Sequence, residues 1–123
     1  MKNYLFISFC LLFTIGYSAN INQTLYINSG TYTAVDASQY PYYSYNVTPS
    51  FNPENKRIVI TPNDSLFLMI INNDTIIHGF DIKNYSGVNK TIPVGDTAYV
   101  ACSFSSVGLY LYYDSYNYPD NRY

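Results

Sequence analysis

Imidazole, thiol and charge are all scarce in this sequence. Its 123 residues include one His, two Cys and no Trp, and 6 Lys and Arg stand against 8 Asp and Glu. Only 11% of residues are charged, for a formal net charge of -2. Recognition of nucleic acid needs a basic face, so that class of partner is excluded. So few His and Cys cannot complete a four-ligand metal site unless carboxylate or Met fills in. No Gly-rich phosphate loop or paired-carboxylate motif is present, and no Ser-His-Asp arrangement is identifiable in the sequence. Apolar and aromatic residues are plentiful instead: 48% are hydrophobic, with 16 Tyr and 7 Phe. That composition excludes a disordered chain, and the length suits one small domain.

The amino end reads as a secretory signal peptide over residues 1–18. Lys2 supplies the positive start, Tyr4 to Ile15 an almost unbroken apolar run, and Gly16 and Ser18 the small residues that a signal peptidase requires. Cleavage after Ser18 is expected, because cleavage after Ala19 would put bulky Tyr17 in a pocket for small side chains. The apolar run is short for a bilayer span of roughly 20 residues, and no later stretch could cross either. A secreted, periplasmic or cell-surface location follows, with a domain over 19–123. Removing Cys10 leaves Cys102 without an internal disulfide partner. Cys102 alternates with Ala98, Val100 and Phe104 on one strand face, so it is expected inside as a small hydrophobe rather than as a ligand or intermolecular thiol.

The mature chain lacks helical periodicity. Short apolar and β-branched runs alternate with Asn, Asp, Pro and Gly clusters about every ten residues, which predicts an all-β sandwich or barrel. The strands expected are Thr24–Ile27, Tyr32–Val35, Tyr42–Val47, Arg57–Thr61, Ser65–Ile71, Ile76–Ile82, Thr97–Phe104 and Leu109–Tyr113. Asn28-Ser29-Gly30 reads as a turn. Leu66 to Ile71 is apolar on both faces, as in a central strand covered on both sides.

From Ile58 onward the order of signals resembles the cupredoxin (plastocyanin-like) fold, most like the amino-terminal domain of a multicopper-oxidase-type protein. Four stretches carry it: Ile58 to Leu66 with its Pro62-Asn63-Asp64 turn; Ile70 to Asp81, in which His78 follows Asn72-Asn73; Ile92-Pro93-Val94-Gly95-Asp96-Thr97; and Gly108-Leu109-Tyr110-Leu111-Tyr112-Tyr113. The resemblance covers about residues 57–114 and implies a Greek-key β-sandwich. A type 1 copper site takes two His, a Cys and a weak axial Met. The resemblance puts the first His at His78, but the positions of the Cys and the second His hold Asp114 and Asn117. Where multicopper oxidases have a His-x-His pair stand Tyr113 and Ser115. His78 is therefore expected either as a remnant copper or zinc ligand, with Asp114 or Asp81 supplying oxygen, or as a histidine held by the fold. No cofactor is expected for this chain alone; copper would require further ligands elsewhere in a longer protein. The sequence stops inside the region that corresponds to the metal loop. A missing last strand and an open sheet edge are accordingly expected, as in a truncated reading frame or the first piece of a longer chain. The partner implied is another cupredoxin domain or subunit, and the role structural or partner-binding.

Tyr40, Tyr42, Tyr43 and Tyr45 form one aromatic cluster, and Tyr110, Tyr112, Tyr113, Tyr116 and Tyr118 another. Ordinary sheet packing accounts for most of them, while Tyr116 and Tyr118 are the candidates for stacking on a sugar or anchoring a partner in an adhesion module. Six Asn-x-Ser/Thr sequons begin at Asn22, Asn46, Asn63, Asn73, Asn84 and Asn89, which suits either glycan acceptors or Asn-rich turns.

Overall fold

The computed structural model describes residues 18–117; the signal segment up to Tyr17, with Cys10, lies outside them, as does Tyr118. Seven strands run in chain order: β1 Asn20–Thr33, β2 Gln39–Asn46, β3 Ser65–Asn72, β4 His78–Ile82, β5 Asn89–Ile92, β6 Thr97–Ser103 and β7 Tyr112–Tyr113. They make two sheets, one ordered β2-β1-β3-β6 and the other β5-β4-β7. β1 pairs antiparallel with β2 and parallel with β3, and β3 pairs antiparallel with β6. The chain crosses to the second sheet for β4 and β5, returns for β6 and crosses again for β7.

Period-two alternation builds the core between the sheets. Leu25 and Ile27 from β1, Leu66, Leu68 and Ile70 from β3, and Val100 and Cys102 from β6 face Phe80, Ile82 and Ile92 of the second sheet. Cys102 is buried as expected, and burial holds its thiol above the ordinary value. Aromatics close the layer: Tyr45 sits 5.8 Å from Phe80 and 5.4 Å from Tyr112, ring centre to ring centre. The Tyr45 hydroxyl donates to the Gly79 carbonyl at 2.5 Å. Much of the tyrosine content is thus sheet packing, as alternation suggested.

Four local expectations need correction. Asn28-Ser29-Gly30 is not a turn, because β1 runs straight through it. The buried Asn28 carboxamide instead donates to Asn46 Oδ1 and to the carbonyls of Thr48 and Ser50, pinning the 48–55 loop over β2. Gly30 is there because the Phe51 ring crosses it so closely that a Cβ would stand 2.2 Å from a ring carbon. The reversal comes later, at Ala34–Ser38, where Ala37 has a φ of 65° and Asp36 Oδ1 accepts from the Ser38 amide at 3.0 Å. Arg57–Thr61 alternates like a strand, with Ile58 and Ile60 against the core, yet has no strand beside it and belongs to neither sheet. The strand expected from Ile76 begins only at His78, since Asn72 Nδ2 bonds the Ile76 carbonyl at 2.8 Å and holds that segment in a bend. β3 is central but covered on one face only: Phe67 on the other is 42% exposed.

These two faces predict different mutational costs. Phe80→Ala, in the core, should cost about 3–5 kcal/mol. Phe67→Ala should stay within about 0.5 kcal/mol. Urea denaturation of both variants checks the assignment, and equal costs would contradict it.

Candidate functional site

The only histidine is fully buried at the start of β4, where register puts it opposite Ile92. Its ring lies between two carboxylates. Nδ1 is 2.7 Å from Asp114 Oδ2, and Nε2 is 2.8 Å from Asp74 Oδ2. An ionised carboxylate only accepts, so both ring nitrogens must carry hydrogen and His78 is an imidazolium. Burial alone would lower its pKa, but the hydrogen bonds to Asp114 and Asp74 and the attraction of both charges outweigh it, and the net direction is up. For Asp74 and Asp114 burial likewise opposes ionisation; the bonds to His78 and neighbouring donors prevail and hold both below the ordinary carboxylate value.

Each carboxylate is set by its loop. Asp74 follows β3, where Asn72 organises the turn: its Oδ1 accepts from the Asp74 amide at 3.0 Å, and its Nδ2 donates to the carbonyls of Ile76, Ile92 and Pro93. Asp114 follows β7. Its Oδ1 accepts from the amides of Gly79 at 2.6 Å, Tyr116 at 3.0 Å and Asn117 at 3.2 Å. Asn117 Nδ2 adds a bond of 2.7 Å to Asp114 Oδ2 and one of 3.0 Å to the Ile77 carbonyl. Gly79 is required at this junction, because a Cβ there would stand 2.5 Å from the Tyr116 backbone nitrogen. Tyr43 lies edge-on to the imidazole at 4.4 Å between ring centres. Its buried hydroxyl has no hydrogen-bond partner; burial and the nearby Asp114 charge push the phenol pKa up.

The structure therefore brings together three residues that the sequence singles out: His78, Asp114 and Asn117. Tyr116 sits on the same loop with its side chain 55% exposed, while Tyr118 lies outside the described residues. Asp81, the other oxygen donor considered, turns instead to the Ile82 amide and Asn89. Asp74 was missed as a site residue. Its signal, an acid four positions before the only His in an Asn-Asn-Asp stretch, reads equally well as turn chemistry.

A solved structure of copper nitrite reductase from Nitrosomonas europaea matches with a TM-score of 0.63 at 16% identity, over 77% of this chain and 34% of that one. The fold is cupredoxin-like. This chain spans about a third of the length of that enzyme. No family model matches the sequence, nor does any curated protein.

The donors gathered in this cupredoxin-like domain do not fit a type 1 copper ion. They are one imidazole, two carboxylates and a carboxamide, without thiolate or second imidazole. The two carboxylates also sit on opposite ring nitrogens and cannot converge on one ion with the ring. Among the described residues no group of three or more His, Cys, Asp or Glu is placed to hold a metal. What the arrangement does is bind the loop after β3, the start of β4 and the loop after β7 through one buried charge.

Stability should follow the charge of this cluster. The folded His78 titrates above 6.5, so its contribution is complete below that pH and fades as pH rises through the folded value. Asp74 and Asp114 titrate below 3.8, so theirs is complete above it and fades as pH falls through their folded values. Maximal stability is expected between about pH 4 and 6.5. Thermal melts at pH 4 to 9 should show an alkaline decline that His78→Gln removes. At pH 6, Asp114→Asn should cost about 3–5 kcal/mol; an unchanged melting profile in either variant would refute the coupling.

Proposed function

We propose that this chain is an exported cupredoxin-like domain of a multicopper-oxidase-type protein, in which an ion-paired hydrogen-bond cluster stands where the fold family keeps copper. On this reading its role is structural or partner-binding, and its partner is another cupredoxin domain or subunit. The observation that carries it is the mutual bonding of His78, Asp114 and Asn117, the positions that the resemblance equates with two His and a Cys. Each meets its neighbours' hydrogen-bonding needs, which leaves no ring nitrogen free to bind a metal ion.

A copper titration tests this directly. With either Cu(I) or Cu(II), calorimetry should show no binding that His78→Gln removes, and the melting temperature should not rise. Tight binding lost in His78→Gln would overturn the reading. A second reading draws on the chain's spanning only 34% of the nitrite reductase: it is the amino-terminal part of a copper-dependent oxidase whose ligands lie downstream. Sequencing the reading frame beyond Tyr123 separates the two, since His-x-His and His-Cys-His motifs would support the oxidase and an early stop would refute it.

Export has local support from the first described residues. Asp64 Oδ1 accepts from the Ala19 nitrogen at 2.8 Å, and the Ser65 amide donates to the Ala19 carbonyl at 2.9 Å. Cleavage after Ser18 would turn that nitrogen into an ammonium and the hydrogen bond into an ion pair, fastening the new terminus beside β3. Mass spectrometry of the secreted product should give a chain beginning at Ala19, and one beginning at Met1 would contradict the assignment.

A further inference from the structure

The outer strands of the two sheets are guarded unequally. β2, at one side of the larger sheet, is engaged by the loop that follows it. The Lys56 amide donates to the Tyr45 carbonyl, and Asn55 Oδ1 accepts from the Tyr45 amide. β5, at one side of the smaller sheet, has four residues and carries Lys90; shortness and charge both protect an edge from stray pairing. β6, at the other side of the larger sheet, has neither defence. Its seven residues, Thr97-Ala98-Tyr99-Val100-Ala101-Cys102-Ser103, include no charge and no proline.

The ladder fixes which of its main-chain groups face outward. The Ser65 and Asn73 amides donate to Ala19 and Ile27 on the β1 side, and the Asn72 amide donates to Asp96 on the β6 side. Odd positions of β3 therefore bond β1, and even positions bond β6. The register sets Leu66 opposite Cys102, Leu68 opposite Val100 and Ile70 opposite Ala98, so β6 spends its even positions on β3. The amides and carbonyls of Thr97, Tyr99 and Ala101 point away from the sheet, and among the described residues no hydrogen bond engages them. The edge closes at Ser103, whose amide donates to the Tyr85 hydroxyl at 3.3 Å. Tyr99 stands at the middle of the open stretch with its side chain 69% exposed.

That stretch is self-complementary. Turned about a two-fold axis at Tyr99, two copies set Tyr99 against Tyr99 and Thr97 against Ala101, and each pair can exchange both main-chain bonds. The two Tyr99 rings then meet on one face of the joined sheet. No like charges oppose each other, because Asp96 falls opposite Cys102. We propose that β6 pairs antiparallel with β6 of a second copy, joining their two larger sheets into one. The contact from Thr97 to Ala101 measures about 17 by 10 Å, well short of the roughly 800 Å² per partner of a stable complex. The dimer is therefore weak, with a Kd of about 0.1 mM. The inference rests on the reading of the chain as a partner-binding domain and makes that partner a second copy.

Sedimentation equilibrium of the full chain from about 5 µM to about 1 mM should show monomer passing into dimer. Monomer throughout would overturn the proposal. Hydrogen exchange should be fast at the amides of Thr97, Tyr99 and Ala101 in dilute protein and slow in concentrated protein, while Ala98, Val100 and Cys102 stay slow in both. Dimerisation that leaves the three outward amides fast would place the contact elsewhere and refute the pairing. Tyr99→Lys and Tyr99→Glu each set like charges face to face and should weaken self-association about tenfold or more. An equimolar mixture of the two should recover the dimer, lysine against glutamate. Both changes fall on an exposed side chain and should leave the melting temperature of dilute protein where it was. Either variant dimerising alone as the parent does, or a mixture that stays monomeric, would refute the register at Tyr99. Because the copper titration does not involve this edge, either reading can fail while the other stands.

Discussion

A positive charge with almost no water around it organises one end of this sandwich. The His78 imidazolium is fully buried, yet both of its hydrogens meet carboxylate oxygens within 2.8 Å. Such a charge is tolerated only when every surrounding group is in place. The Asn72 carboxamide must hold the turn that aims Asp74, and Gly79 must let the 114–117 turn come close enough for Asp114. The two crossing loops are thereby fixed relative to each other, and so are the sheets that they join. Buried ion pairs contribute little net stability compared with apolar packing, but leaving one half-made is costly. The cluster therefore specifies which loop conformation the end of the sandwich adopts more than it deepens the folded well.

The two ends of the second sheet meet different fates. At the His78 end the imidazolium, both carboxylates and the Asn72 and Asn117 carboxamides all have partners, and the loops pack as a closed network. Beside β7, residues 55–62 and 106–113 instead wall a cavity floored by core side chains of β3 and β4. Tyr112 belongs to both regions: it stacks on Phe80 in the core and its hydroxyl reaches across to the Lys56 carbonyl. Burial raises its phenol pKa, so this link stays protonated over any physiological range.

How far the sequence reveals this depends on range. Alternation in Ala98, Val100, Cys102 and Phe104 predicts an inward-facing thiol because a strand's period is local. The cupredoxin resemblance, counted from Gly108, also singles out Asp114 and Asn117, which the structure places beside His78. Local signals fail where the deciding partner is distant in sequence. Asn28 looks like turn chemistry until the 48–55 loop that it anchors is known. Arg57–Thr61 has the pattern of a strand, but a strand needs a neighbour, and none of the described residues supplies one. The short β5 is held by its register with β4 rather than by its own Asn-Lys-Thr-Ile composition. Asp74 becomes a site residue only because the turn built by Asn72 swings it toward the ring.

Asn46 begins a sequon, yet its side chain is buried beneath the 48–55 loop and donates to the carbonyls of Asn52 and Glu54. A sugar on that nitrogen would displace the loop and take away a donor that two carbonyls share. Glycan addition and folding are therefore competing fates for this one nitrogen. Once β2 has closed under its loop, a transferase can no longer reach it; if the transferase acts first, the loop cannot close. In any compartment that glycosylates nascent chains, the yield of native protein is thus set by a race at Asn46, whatever happens at the five other sequons.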